Sequence, residues 1–177
     1  MKIFKKVNRG LVLTLAILTI VIVYICVLTL KHNNLEKESA VFLTSFFKAD
    51  EDWRSIPEEF RKDADAYVKS IEKEARAYFA DERVYEYYIN DAILSQYESN
   101  KFLKQEECEY SMFESYGSNY DGELLRVSVF VEIGGETEQF FATDNLDITL
   151  KESDTGLKIV SFARPFAGEY GEYITIG

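Results

Sequence analysis

Residues Leu11–Leu30 read LVLTLAILTIVIVYICVLTL, twenty positions with no charge, no Pro and no Gly. Three Thr and one Tyr are the polar members, and a Thr hydroxyl can bond back to a helix carbonyl. Twenty helical residues at about 1.5 Å each give about 30 Å, the hydrocarbon thickness of a bilayer. A soluble core helix rarely carries so long an unbroken apolar run, so this stretch reads as a membrane span. Lys2, Lys5, Lys6 and Arg9 precede it and Lys31 alone follows directly. By the positive-inside rule the N-terminus is expected in the cytoplasm and residues 31–177 outside it. A cleaved signal peptide has an apolar region of about 7–15 residues and a small-residue exit. Here the run is longer and leaves through Val-Leu-Thr-Leu-Lys. A lipoprotein signal needs small residues before Cys26, where Val23, Tyr24 and Ile25 stand. The expected organisation is a basic tail (1–10), a transmembrane helix (11–30), a short linker (31–34) and one outer domain (35–177).

Charge is divided unevenly along the chain. All charge in the first thirty residues is basic, leaving 16 Lys and Arg against 31 Asp and Glu in residues 31–177, a balance of −15. Such a domain repels phosphate backbones, which excludes nucleic acid as a partner class. Cys26 lies inside the apolar run and Cys108 far from it, so no disulfide framework and no Cys-x-x-Cys motif exists.

Hydrophobic periodicity divides the outer region in two. Leu35–Lys48 places Val41, Thr44 and Phe47 with Leu43 and Phe46 at helical spacing, and Asp50-Glu51-Asp52 reads as its solvated end. Ser55-Ile56-Pro57-Glu58 resembles a capping box opening a second helix. Its buried stripe is Phe60, Tyr67, Val68, Ile71, Ala75, Tyr78 and Phe79. A third helical pattern runs through Val84, Tyr88, Ala92 and Ile93, with Asn100 as its stop. After about residue 104 the period becomes two. Strands are expected over 110–116, 123–133, 137–150 and 157–164, with a short edge strand at 173–176. Tyr120-Asp121-Gly122, Gly134-Gly135 and Asp154-Thr155-Gly156 are the hairpin turns between them. Helices gathered first and a meander gathered second define an α+β class: about three helices on a curved four-stranded antiparallel sheet.

That order of elements, with the hairpin Leu150-Lys151-Glu152-Ser153-Asp154-Thr155-Gly156-Leu157-Lys158-Ile159, resembles the NTF2-like (broadly cystatin-like) cone domains. Those domains often carry an acidic turn followed by Trp-Lys-Ile, and Leu157 takes the place of the Trp. A basic tail, one span and such a domain also resembles the VirB8-like components of conjugation and secretion channels. The resemblance implies a pocket between sheet and helices, which in some members holds an isomerase or dehydratase site.

Little in the residues supplies such chemistry. The single histidine, His32, lies at the membrane boundary, which removes His-based nucleophilic triads and His-based zinc sites. No phosphate-binding Gly loop, nucleophile elbow or EF-hand spacing is present. No cofactor and no metal is expected. Asp144 and Asp147 fall midway along the third strand. They read either as a β-bulge or as acids aimed into the pocket, where burial would raise a carboxyl pKa. Tyr110, Phe113, Tyr116 and Tyr120 read either as core and turn packing or as an exposed recognition patch for a protein partner.

The function expected is therefore a non-enzymatic interaction or scaffold domain, held to membrane lipid through residues 11–30 and binding a protein partner or itself. An envelope sensor of a small ligand, or a lyase or isomerase using a pocket carboxylate, are the alternatives. The lack of Asn-x-Ser/Thr acceptors and of structural disulfides suits a bacterial envelope. Removing residues 1–30 is expected to convert a membrane-bound chain into a soluble one. A full-length chain that fractionates as a soluble, shortened protein would contradict the anchor.

Overall fold

The computed structural model describes residues 9–94, 109–134 and 141–163. Asn100, Cys108, Gly135 and the expected edge strand at 173–176 lie outside the described residues. Helix α1 runs without interruption over Arg9–Arg54, 46 residues and so about 69 Å long. Its apolar half lies outside the packed core of the described residues, with large side chains such as Ile20 and Leu30 exposed and Leu28 partly covered. The hydroxyls of Thr14, Thr19 and Thr29 donate to the carbonyls of Gly10, Leu15 and Ile25 at 2.8–3.0 Å, so they leave no polar group unpaired. Residues 31–34, expected as a linker, are helical. His32, Asn33 and Asn34 are polar, but none of them breaks a helix as Pro would.

The upper half of α1 belongs to the domain. Leu35, Leu43, Phe46, Phe47, Asp50 and Trp53 are buried at spacings of three, four and eight, while Val41 is 73% exposed and Thr44 is exposed. The core stripe is thus rotated from the one expected through Val41 and Thr44. Asp50-Glu51-Asp52 does not end the helix either. It closes at Arg54, where the Ser55 hydroxyl donates back to the Glu51 carbonyl at 3.2 Å. Ser55 therefore finishes one helix and does not cap the next.

After a 3-10 turn at Glu58–Phe60, helix α2 covers Ala64–Ala75 and α3 covers Glu82–Tyr88. The side chains of Asp63 and Asp81 supply the caps, accepting from the backbone N–H of Ala66 (2.9 Å) and Val84 (3.1 Å). A 3-10 turn, Arg76–Tyr78, ends α2, and a π-helical turn, Ile89–Leu94, continues α3.

Strands β1 (Glu109–Tyr120), β2 (Leu124–Gly134), β3 (Phe141–Ser153) and β4 (Gly156–Ala163) form one antiparallel sheet in sequence order. Leu125, Val127 and Val129 of β2 lie opposite Leu150, Ile148 and Leu146 of β3, and this face is covered by the helices. Arg126, Ser128 and Phe130 take the other face, as strict alternation requires. The β2–β3 ladder is unbroken from Leu124–Lys151 to Gly134–Phe141, so no bulge exists at Asp144–Asp147. Register shifts occur instead in β1, around residues 111 and 116, and between β3 and β4 beside Thr149. Gly122 and Gly156 adopt φ of 106° and 105° at the two hairpin ends, where a side chain would be strained. The α2–α3 connection docks on the β4 edge, with the N–H of Ala80 donating to the Ile159 carbonyl at 2.9 Å.

Since α1 carries part of the core, Leu43→Ala is expected to destabilise the outer domain by about 2–5 kcal/mol, as Ile148→Ala would. Leu18→Ala on the same helix should leave it unchanged. Thermal melts of detergent-solubilised full-length chain check this.

Candidate functional site

The space between helices and sheet, where the resemblance implies a pocket, is filled with aromatic rings. Phe46 of α1 is the hub. The rings of Phe47, Trp53, Tyr78, Phe79, Tyr88 and Phe162 all lie within 6.4 Å of it, centroid to centroid. Most meet edge to face, the arrangement that the ring quadrupole favours. Tyr88 and Phe162 stack at 6.2 Å and seal the layer against β4.

One carboxylate is enclosed with these rings. Asp50, 1% exposed, faces the Arg54 guanidinium one helical turn on at 2.7 Å and accepts a hydrogen bond from the Tyr88 hydroxyl. Arg54 also donates to the Ala92 carbonyl of the π-helical turn at 3.4 Å. The Tyr67 hydroxyl donates to the Trp53 carbonyl. Burial pushes the Tyr67 phenol well above its usual pKa, and the negative charges of Asp50 and Asp52 add to the shift. These contacts tie the end of α1 to α2, α3 and the π-helical turn. A buried carboxylate so paired acts as an architectural lock, because removing one partner strands the other in a dry interior.

A second polar cluster lies where α1 leaves the apolar run. His32 Nε2 is 2.9 Å from the Ser118 hydroxyl of β1, and that hydroxyl donates to Glu36 one helical turn on, also at 2.9 Å. Lys31 Nζ is 2.5 Å from a Glu152 carboxylate oxygen in β3 and 5.5 Å from the centre of the Tyr120 ring. The bonds to Glu152 and Tyr120 hold the Lys31 ammonium above its ordinary pKa. In the adjoining turn, the Asp121 carboxylate accepts from the N–H groups of Leu124 and Glu123, which lowers its pKa.

The residues expected to carry function are distributed differently. Tyr110, Phe113, Tyr116 and Tyr120 all belong to β1, but the side chains of the first three lie outside the described residues. Tyr116 falls at a register shift, while Phe113 pairs with Val131. Tyr120 is half-buried, its hydroxyl donating to the Gly122 carbonyl at 2.6 Å, so it packs into the helix–hairpin contact. Asp144 pairs with Val131, and its side chain also lies outside the described residues. Asp147 accepts from the Ser128 hydroxyl at 2.5 Å on the sheet face turned away from the helices, and so does not point into the aromatic interior. A hollow of about 430 Å³ lies elsewhere, lined by Lys37, Glu38, Val41, Phe42 and Leu157. Among the described residues no group of three or more His, Cys, Asp or Glu is placed to hold a metal ion.

Sequence reading missed Asp50, Arg54 and Tyr88 as a unit. The available signal was the four-residue step from Asp50 to Arg54 on the same stripe as Phe46, Phe47 and Trp53. It also missed His32 and Glu36 as a pair around Ser118, which no local pattern encodes. No family model matches this chain, and searches of curated proteins and of solved structures found no match either.

Asp50→Ala is expected to destabilise the domain by about 3 kcal/mol, because Arg54 and the Tyr88 hydroxyl lose a buried partner. Asp147→Asn, on the outer sheet face, should shift stability by no more than about 0.5 kcal/mol. Chemical denaturation of the two variants beside the parent compares these effects.

Proposed function

We propose that this chain is a single-pass membrane protein whose outer, NTF2-like domain is a non-enzymatic interaction module or scaffold of the cell envelope. The nearest analogy is to VirB8-like components of transfer channels. The observation that carries the proposal is the filled interior: Phe46 and its ring neighbours occupy the space in which a ligand or substrate would sit. Both alternatives, small-ligand sensor and lyase or isomerase, need that space open with a carboxylate directed into it. Asp50 is enclosed by Arg54 and Tyr88, and Asp147 lies on the opposite sheet face; Asp144 shares the covered face by register, and its side chain lies outside the described residues.

The unbroken helix adds support. An interaction domain on a flexible tether samples many orientations, whereas α1 joins span and core through one rigid element. That suits a part that must hold a partner at a set distance from the bilayer. The basic flank Lys2, Lys5, Lys6 and Arg9 favours a cytoplasmic N-terminus, with the domain in the extracytoplasmic space. The outer charge of −15 directs the choice of partner toward basic or polar protein surfaces and away from nucleic acid.

Extraction of the full-length chain from its native membrane in mild detergent tests the reading. A scaffold should run as an oligomer or bring specific membrane companions with it. A monodisperse monomer that arrives alone and binds a small molecule would replace the scaffold with the sensor.

A further inference from the structure

The arrangement around Lys31 also orients the domain against the bilayer. In an antiparallel meander the β1–β2 and β3–β4 turns share one end of the sheet, and the paired Gly134 and Phe141 ends of β2 and β3 lie at the other. Lys31 directly follows Leu30, the last residue of the exposed apolar run, and its ammonium meets both near-end hairpins through Tyr120 and Glu152. The two tips therefore lie at the level where the apolar surface of α1 ends.

Their charge differs from that of the rest of the domain. Lys31, Arg126, Lys151 and Lys158 stand against Asp121, Glu123, Glu152 and Asp154, four cations to four carboxylates. This leaves no net charge at this end, against the −15 carried by residues 31–177 as a whole. The opposite charges are matched pairwise: Lys31 with Glu152 at 2.5 Å, Lys151 with Glu123 at 2.6 Å, and Arg126 with Asp121 at 3.8 Å. The Ser153 hydroxyl and Thr155 add exposed hydroxyl groups at the β3–β4 tip. A surface of interspersed cations, carboxylates and hydroxyls complements the alternating phosphates and amines of zwitterionic lipid. A uniformly acidic face would be repelled by any anionic fraction.

We propose that the β1–β2 and β3–β4 hairpin tips form a lipid-facing surface that rests on the zwitterionic headgroup layer of the bilayer spanned by α1. The inference builds on the membrane-anchor reading and adds to it which end of the domain faces the lipid. The His32–Ser118–Glu36 contact fixes the rotation of the sheet about α1, so the tips stay at that surface instead of circling the helix.

Full-length chain carrying Cys108→Ser, in phosphatidylcholine nanodiscs, provides the test. A spin label is placed in turn at native Cys26, at Thr155→Cys and Asp154→Cys, and at Lys69→Cys. The last three variants also carry Cys26→Ser. Lys69 is exposed on α2, whose Tyr67 contacts Trp53, about 33 Å along α1 from Lys31. Nickel chelated to headgroup lipid should relax the labels at 154 and 155 and leave the label at 69 unaffected. The Cys26 label should be open to oxygen and closed to a water-soluble chelate. Labels at 154 and 155 that behave like the one at 69, with Cys26 still in hydrocarbon, overturn the lipid-facing surface while leaving the anchor intact. A Cys26 label open to the aqueous chelate overturns the anchor, and this inference with it.

Discussion

Helix α1 has two solvents and one backbone. Over residues 11–30 the large side chains are apolar and, apart from the partly covered Leu28, exposed, while from Leu35 to Trp53 one stripe of the same helix lies in the domain core. The two halves share continuous i to i−4 hydrogen bonds across His32, Asn33 and Asn34. The domain core therefore includes part of the same helix that carries the long apolar run, and the sheet packs on that helix. The contacts of β1 with His32 and Glu36, and the aromatic layer around Phe46, are both built on this one continuous helix.

The interior is closed by aromatic packing and by one polar lock. Large rings meeting edge to face bury much surface with few rotatable bonds, so they fill the layer between helices and sheet at low cost in side-chain entropy. Within that layer, Asp50 is held by Arg54 and Tyr88, which specifies how the end of α1 meets α3 and the π-helical turn. A carboxylate in this position could be mistaken for a catalytic acid. Among the described residues, Arg54 and Tyr88 hold it and aromatic rings pack around it.

The α+β class, the meander, the hairpin glycines and most of the α2 and α3 core positions were legible in the chain because they are local. Period two in Leu125, Val127 and Val129 marks a strand face, and Gly at a hairpin end marks a positive φ. What failed also has local causes. Ser55 and Glu58 have capping-box spacing, yet α1 runs up to Arg54 and Ser55 closes it, while Asp63 and Asp81 supply the caps that α2 and α3 use. Asp50 looks like a solvated terminus because three acids stand together, although only tertiary packing decides which of them faces inward. Among the expected functional residues, Tyr120 and Asp147 are placed in contacts that hold the fold.

By itself the sequence determined the long apolar stretch, the uneven charge, and the order of helices and strands. Each of these depends on composition or on neighbours within a few residues. Tertiary structure alone decided that residues 31–34 remain helical, that the space under the sheet is filled, and that Lys31 and His32 meet strands more than eighty residues away. Those outcomes depend on how side chains distant in the chain compete for the same volume, and no local pattern records the result of that competition.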